Sequence, residues 1–288
     1  MKTKPIHPPS RHRALHVAGE IATYGTLLLA VLFVVAPLAW GLSTSLKSNS
    51  DIFSPTAQWI PPSVDFGNYL KVFSSPLFLR YILNSVAVVA CALVLSTILA
   101  VHAAYAVSRF RFRAKDFLLF LVWATVMLPG VAIIVPLYLL AVDLGIYDTL
   151  FVVVLAYSAW LIPTLIWLLQ GFVDSVPYEL EEAAMIDGCS RLKAFYLIVL
   201  PLLRPGLAAA AVLVFVTIWN DFLLSFSLTL KDENRLLQTG IYIFVNESGI
   251  EWGPLTAAAI GSTIPVAILF ALLQRSFIRG LTGGAVKG

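Results

Sequence analysis

Charge and cysteine are the two scarce commodities of this sequence. Asp, Glu, Lys and Arg make up 12% of its 288 residues, about half the ~25% of an ordinary soluble domain. A soluble fold of this size could not cover its surface with so few solvated groups, because surface grows with chain size. The only cysteines are Cys91, inside an apolar run, and Cys189, in a charged segment, which excludes a disulfide framework. No G-x-x-x-x-G-K-[ST] loop is present, so the chain is not expected to bind ATP. Nor is there a G-x-S-x-G elbow, an H-E-x-x-H helix or a Cys/His cluster with metal spacing. No enzymatic activity, cofactor or metal is therefore expected of this chain. The net charge of +3 is small, and no nucleic-acid partner is expected.

What fills the space is apolar sequence. Hydrophobic residues reach 59% and the mean hydropathy is +0.89, which points to an all-α polytopic membrane protein. Six spans are predicted, at 21–43, 82–107, 117–140, 150–172, 203–226 and 255–274. They must be helical, since lipid offers no partner to an unpaired backbone group. The first run is about the 20 residues a span needs and longer than a signal-peptide core, so it is expected to remain as a helix. Fourteen of the 19 Lys and Arg fall in one set of loops. That asymmetry places both termini in the cytoplasm, with tails over 1–20 and 275–288. Pro37, Pro129, Pro136, Pro163 and Pro265 lie within spans, where each removes a backbone donor and tends to kink its helix. Pro129-Gly130 is the favoured place for such a kink to open a cavity. On the outside, residues 44–80 and 227–254 hold turn formers and aromatics and read as folded caps.

The informative stretch is the predicted cytoplasmic loop 173–202. Ser175 and Pro177 read as a helix start. Glu179, Glu181 and Glu182 follow near the N-terminus, where the helix dipole favours anions. Leu180, Ala183, Ala184 and Asp187 share a face at i, i+3, i+4 and i+7. Gly188 stands where a left-handed residue would end the helix. A second helix over about 190–197 then runs into Pro201. The alanine pair makes a slim ridge that can enter a groove in another protein. A helix lying on lipid headgroups is the alternative, and three Glu beside an anionic leaflet argue against it.

Glu182-Ala183-Ala184, three residues, Gly188, nine residues, then Ile198-Val199-Leu200-Pro201 fit E-A-A-x3-G-x9-I-x-L-P without a mismatch. This pattern resembles the signature of binding-protein-dependent ABC importer permeases. Ser45-Leu46-Lys47, Asn68-Tyr69, Asn84-Ser85, Ala104-Tyr105-Ala106, Trp219-Asn220-Asp221 and the closing Gly284-Ala285-Val286-Lys287-Gly288 are similar to the carbohydrate-importer branch, of the maltose-permease type. Asp221 departs from it, since many relatives carry Glu there. The resemblance implies a type I importer fold at the cytoplasmic membrane of a bacterium or archaeon. It also implies a second permease subunit, as a heterodimer, two ATPase subunits that bind ATP and magnesium, and an extracytoplasmic binding protein that delivers a carbohydrate. ATPase coupling is implied for the loop, at Glu181, Glu182, Ala183, Ala184, Asp187, Gly188 and Pro201.

Candidates for the substrate pathway are Met127, Tyr157, Trp160, Trp219, Asn220 and Asp221. Flat aromatic faces suit the C–H edges of sugar rings, although aromatics near a bilayer interface are more often anchors. An intramembrane Asp calls for a partner or a water-filled cavity, and both roles are open for Asp221. For His102, a hydrogen bond to a neighbouring helix is favoured over proton relay. The tail 283–288 is read either as an ATPase contact or as a flexible end. A secondary transporter would show repeated halves and paired ionisable groups at the midplane, which are missing. An intramembrane enzyme would need a nucleophile with its base, and no such constellation is visible.

Overall fold

A computed structural model describes the backbone of residues 11–246 and 249–285, and the side chains of residues 19–246 and 249–272. Ten helices carry the architecture: α1 Arg11–Ser45, α2 Pro76–Arg109, α3 Lys115–Met127, α4 Gly130–Asp143, α5 Leu150–Ser175, α6 Tyr178–Ile186, α7 Arg191–Leu202, α8 Arg204–Asn220, α9 Leu223–Leu228 and α10 Trp252–Ala285. Four stretches, Gly19–Ser45, Pro76–Arg109, Leu150–Ser175 and Trp252–Leu272, are each long and apolar enough to cross a membrane. The pairs α3/α4 and α7/α8 bring the number to six if each bent pair is one span.

The first bent pair breaks the span predicted at 117–140 at the expected Pro129-Gly130 kink, and the second bends at the start of the span predicted at 203–226. Between α3 and α4 the axis turns by 100°. Leu128 and Pro129 are extended there, with ψ of 129° and 128°; for Leu128 the cause is Pro129, since a proline pushes the residue before it out of the helical region. Between α7 and α8 the bend is 71°. A further break falls at Asp221, whose ψ of 130° ends α8 before α9 begins. Pro37, Pro136, Pro163 and Pro265 instead sit inside continuous helices. At the other end of the chain, the α10 backbone continues unbroken into the predicted tail 275–288 as far as Ala285. Residues 1–10 and 286–288 lie outside the described residues, as do the side chains of Arg11, Arg13, Arg275 and Arg279. Both readings of the tail 283–288 fall on residues or side chains outside those described.

The core runs between α2 and α5, the central pair of the bundle. Val88, Ala92, Ala100 and Ala104 of α2 and Val153, Leu165, Leu169 and Val173 of α5 are buried in it. Small residues let two apolar helices approach closely, which is how packing holds helices together where lipid removes the hydrophobic drive. α8 packs beside this pair, α10 packs on α8, and α1 lies outermost against α10.

The cap over 44–80 and the described residues of the cap over 227–254 are folded, and side chains stitch them to the bundle. Asn68 Nδ2 donates to the carbonyls of Ser45 (3.0 Å) and Lys47 (2.9 Å), and Tyr69 Oη meets Ser45 Oγ at 2.8 Å. Asn84 Nδ2 donates to Glu233 O and Arg235 O, both at 2.9 Å, while Ser85 Oγ accepts from Leu237 N–H at 2.8 Å. Thus Asn68-Tyr69 and Asn84-Ser85 are the stitches themselves. Between α4 and α5, Asp148 adopts a left-handed φ of 58°. Its carboxylate accepts from Leu230 and Lys231 N–H at 2.8 and 3.1 Å, and its carbonyl accepts from Asn234 Nδ2. Burial pushes the Asp148 carboxyl up, but these donors and the nearby Lys231 ammonium outweigh it and hold the group below its ordinary value.

Candidate functional site

Two regions gather the predicted site residues. The first is α6 with the turn behind it. Its start differs from the reading at Ser175: that residue closes α5, its hydroxyl donating to Phe172 O. Pro177 takes the N-cap position of α6 without a side-chain cap. The end of the helix follows the sequence more closely. Gly188 has a φ of +91°, the Gly188 N–H bonds Met185 O, and the Cys189 N–H reaches back to Ala184 O. This left-handed turn reverses the chain. Ser190 then caps α7, accepting from Lys193 N–H. Within α7, residues Phe195–Val199 widen into a π turn in which Leu200 N–H bonds Phe195 O. The cause is Pro201, which lacks an N–H and crowds the carbonyl one turn back, so the ladder opens before it.

α6 presents two unlike faces. Leu180, Glu182, Ala183 and Asp187 are exposed, Ile186 is 86% exposed and Ala184 is half-buried. The outward ridge is therefore Ala183 flanked by Glu182 and Ile186, with Ala184 leaning inward. Glu181, named with Glu182 for ATPase coupling, turns inward instead: it is 1% exposed. Its Oε1 accepts from Arg109 Nε at 2.6 Å and its Oε2 from the Tyr105 hydroxyl at 2.7 Å. Arg109 Nη2 also donates to Val173 O (3.0 Å), which accepts the Val176 N–H as well, and to Val176 O (2.7 Å), just past the end of α5. Removing one partner from a buried ion pair costs about 3–5 kcal/mol, since the other charge is left uncompensated. Pro201 lies in α7 and takes no part in the α6 ridge.

Neither Arg109 nor its link to Glu181 was recognised in the sequence, where Arg109 served only as one cation among fourteen. A signal was available: Tyr105 and Arg109 stand at i and i+4, on one face at the end of a predicted span. His102, one turn before, bonds Ile98 O through Nδ1 and the Tyr196 hydroxyl of α7 through Nε2 at 2.8 Å. That is the helix-to-helix link favoured for it.

The second region is a cleft where the α3/α4 break faces α5 and α9. A hollow of about 340 Å³ is lined by Gly130, Val131, Ile134, Tyr157, Trp160, Thr217, Asp221, Leu223 and Leu224. A neighbouring hollow of about 220 Å³ shares Gly130, Ile134, Trp160 and Leu224, so Trp160 borders both. A Cβ on Gly130 would lie 2.4 Å from the Trp160 ring; glycine is needed for the indole to lie against the break. Trp160 is 43% exposed. Tyr157 is 2% exposed, with its hydroxyl donating to Asp221 Oδ1 at 2.7 Å. The same oxygen accepts Leu224 N–H at 3.0 Å, so Asp221 caps α9 and lines the cleft at once.

The remaining pathway candidates are not gathered there. Trp219 is buried, stacked on Phe215, with Nε1 donating to Ser262 O; no ring face is open to a sugar. Asn220 is exposed and bonds Val216 O of its own helix. Met127 is 85% exposed at the end of α3.

Apolar helices, two of them broken around a cleft, and a compact helical projection together define a polytopic membrane transport component. A family model described as "Binding-protein-dependent transport system inner membrane component" matches residues 92–283. The diacetylchitobiose uptake system permease protein DasC of Streptomyces coelicolor is 35% identical over 270 residues, covering 94% of this chain and 98% of that protein. The trehalose transport system permease protein SugB of Mycobacterium tuberculosis is also 35% identical, over 93% of this chain and 98% of its own length. Among solved structures, a chain of a bacterial ABC transporter involved in alginate import superposes with a TM-score of 0.80. At 24% identity, covering 95% of this chain and 100% of that one, it supports the fold. The chain belongs to the family of binding-protein-dependent transport system inner membrane components and is an integral membrane permease.

Proposed function

We propose that this chain forms half of the translocation pathway of an ATP-driven carbohydrate importer and that α6 is its docking element for a separate ATPase. The observation that carries the reading is the outward ridge Glu182-Ala183-Ile186: slim, apolar at its crest, acidic at its flank, and ended by the left-handed Gly188. Such a ridge fits a groove of matching width, and Glu182 offers a carboxylate to a basic group beside it. The partners are two ATPase subunits binding ATP and magnesium, a second permease as a heterodimer, and an extracytoplasmic binding protein. Both termini and the 173–202 loop lie in the cytoplasm, on the strength of the basic-residue asymmetry. The solute class follows the relatives, whose names include uptake of diacetylchitobiose and trehalose.

Within the cleft, Trp160 is the aromatic with an open face, and it supplies the sugar contact from this subunit. Closure of the ATPase pair drives α6 and alternates the access of the cleft. The test is vesicle uptake of a panel of disaccharides, with binding protein and ATPase co-expressed. Uptake of at least one, abolished by Ala183→Trp while the permease stays in the membrane, is the result expected. Uptake that survives Ala183→Trp with full ATPase association overturns the docking role.

A further inference from the structure

We propose that Arg109 is the positioning residue that makes α6 move as one body with the transmembrane helices, so that force applied to the docking ridge reaches the cleft. The proposal rests on the docking role given to α6 above. One guanidinium ties three segments: Glu181 on α6, the carbonyl of Val173 near the end of α5, and the carbonyl of Val176 in the connection between them. Arg109 is itself the last residue of α2. Tyr105, one turn earlier, holds the second oxygen of Glu181, and Ser108 bonds the Asp174 carboxylate. Tyr178, at the start of α6, lies under the Arg109 guanidinium at 5.7 Å and accepts from Arg191 of α7 at 3.1 Å. The inner face of α6 is thus bolted at both sides, while its ridge is left open.

A planar fork with fixed donor directions suits such a joint, because several acceptors are held at set angles by one rigid group. The joint also leads somewhere. α5 is continuous from Leu150 to Ser175, so Val173 and Trp160 ride on one rod about 20 Å apart along its axis, at ~1.5 Å per residue. α2, the other helix seized by Arg109, packs along that rod. A displacement of the ridge has no slack to absorb it before it reaches α5. A surface ion pair could not do this, being loose and screened; the Arg109–Glu181 pair is nearly closed to solvent.

The experiment needs no knowledge of the solute. In a background carrying Cys91→Ala and Cys189→Ala, a reporter Thr217→Cys is placed in the cleft, and its maleimide labelling is followed in the assembled complex with and without ATP–vanadate. Without further changes, trapping is expected to alter the labelling rate at least fivefold. With Arg109→Gln or Glu181→Gln, the ATPase is expected to co-purify and trap nucleotide as before, while the change in labelling falls below twofold. The double variant is expected to be no worse than either single one, and Arg109→Lys to lie between. An unchanged labelling response in these variants overturns the proposal. So does a reduced yield of complex whose surviving fraction still responds fully, since the cluster would then serve folding alone. If the Gln variants do not assemble, Tyr105→Phe, which leaves the ion pair in place, decides: a weakened response supports the joint and a full one refutes it. Failure of the parent chain to bind its ATPase would instead refute the docking role of α6.

Discussion

Replacing Gly188 isolates one physical effect, because nothing else stands in the way. A Cβ built on this residue meets no atom within 4 Å, so steric clash contributes nothing and the cost is that of the backbone conformation. At φ +91° an ordinary L-residue costs about 1–2 kcal/mol, a β-branched one more, and Asn less because it visits this region more readily. The turn can relieve that strain only by rotating α7 away from α6, which undoes the bond from Cys189 N–H to Ala184 O. If docking requires the native turn, ~1.4 kcal/mol of strain becomes a tenfold loss of affinity for the ATPase. The series Gly188→Asn, Gly188→Ala, Gly188→Val should therefore bind progressively less tightly, with the Val variant at least tenfold weaker than the Asn variant. The assay is ATPase binding to immobilised detergent-solubilised permease, normalised to the permease captured. Equal affinity for the Asn and Val variants would refute the claim that a left-handed turn sets the docking geometry.

The other predictions concern the cleft, the cap at Asp148 and the topology. Gly130→Ala forces a methyl into the Trp160 ring, and overpacking of this kind costs about 1–3 kcal/mol; uptake should fall, and Gly130→Ala combined with Trp160→Leu should recover stability in a thermal melt that the single change loses. Asp148 is held below its ordinary pKa, so its contribution to stability is present above about pH 4 and is lost as pH falls through the lowered folded value. Melting of the wild type minus that of Asp148→Asn should thus be constant from pH 7 to about 5 and shrink under more acid conditions; a difference that grows on acidification contradicts the assignment. Single cysteines at Ser50 and Ser190 should react with an impermeant reagent from outside and from inside respectively, and labelling of Ser190 in intact cells would reverse the orientation.

Long apolar runs and the E-A-A pattern made the membrane class, the family and the helix-turn-helix at 173–202 legible before any coordinate was known. Both signals are local, one in composition and the other in spacing. What stayed hidden depends on which groups meet in space. Pro129-Gly130 advertised a kink, but the 100° turn and the cleft beside Trp160 follow from where α5 lies. Asp221 carried two open roles in the sequence, and its single oxygen shared between Tyr157 and Leu224 N–H unites them. Trp219 looked equivalent to Trp160 as an aromatic in a span; burial against Phe215 separates them. Glu181 and Glu182 differ only by 100° around a helix, and nothing in a run of acids says which one turns inward. Arg109 decides it, seventy-two residues away in sequence.

The central claim is that the outward ridge of α6 is the ATPase contact, and cross-linking reads it most directly. Single cysteines at Ala183 and Ile186, in the Cys91→Ala, Cys189→Ala background, are treated with a short bifunctional thiol reagent in assembled complex, with Ser50→Cys on the far cap as control. The account predicts a permease–ATPase product from positions 183 and 186 and none from position 50. No product from either ridge position, in complex that still holds its ATPase, would contradict it.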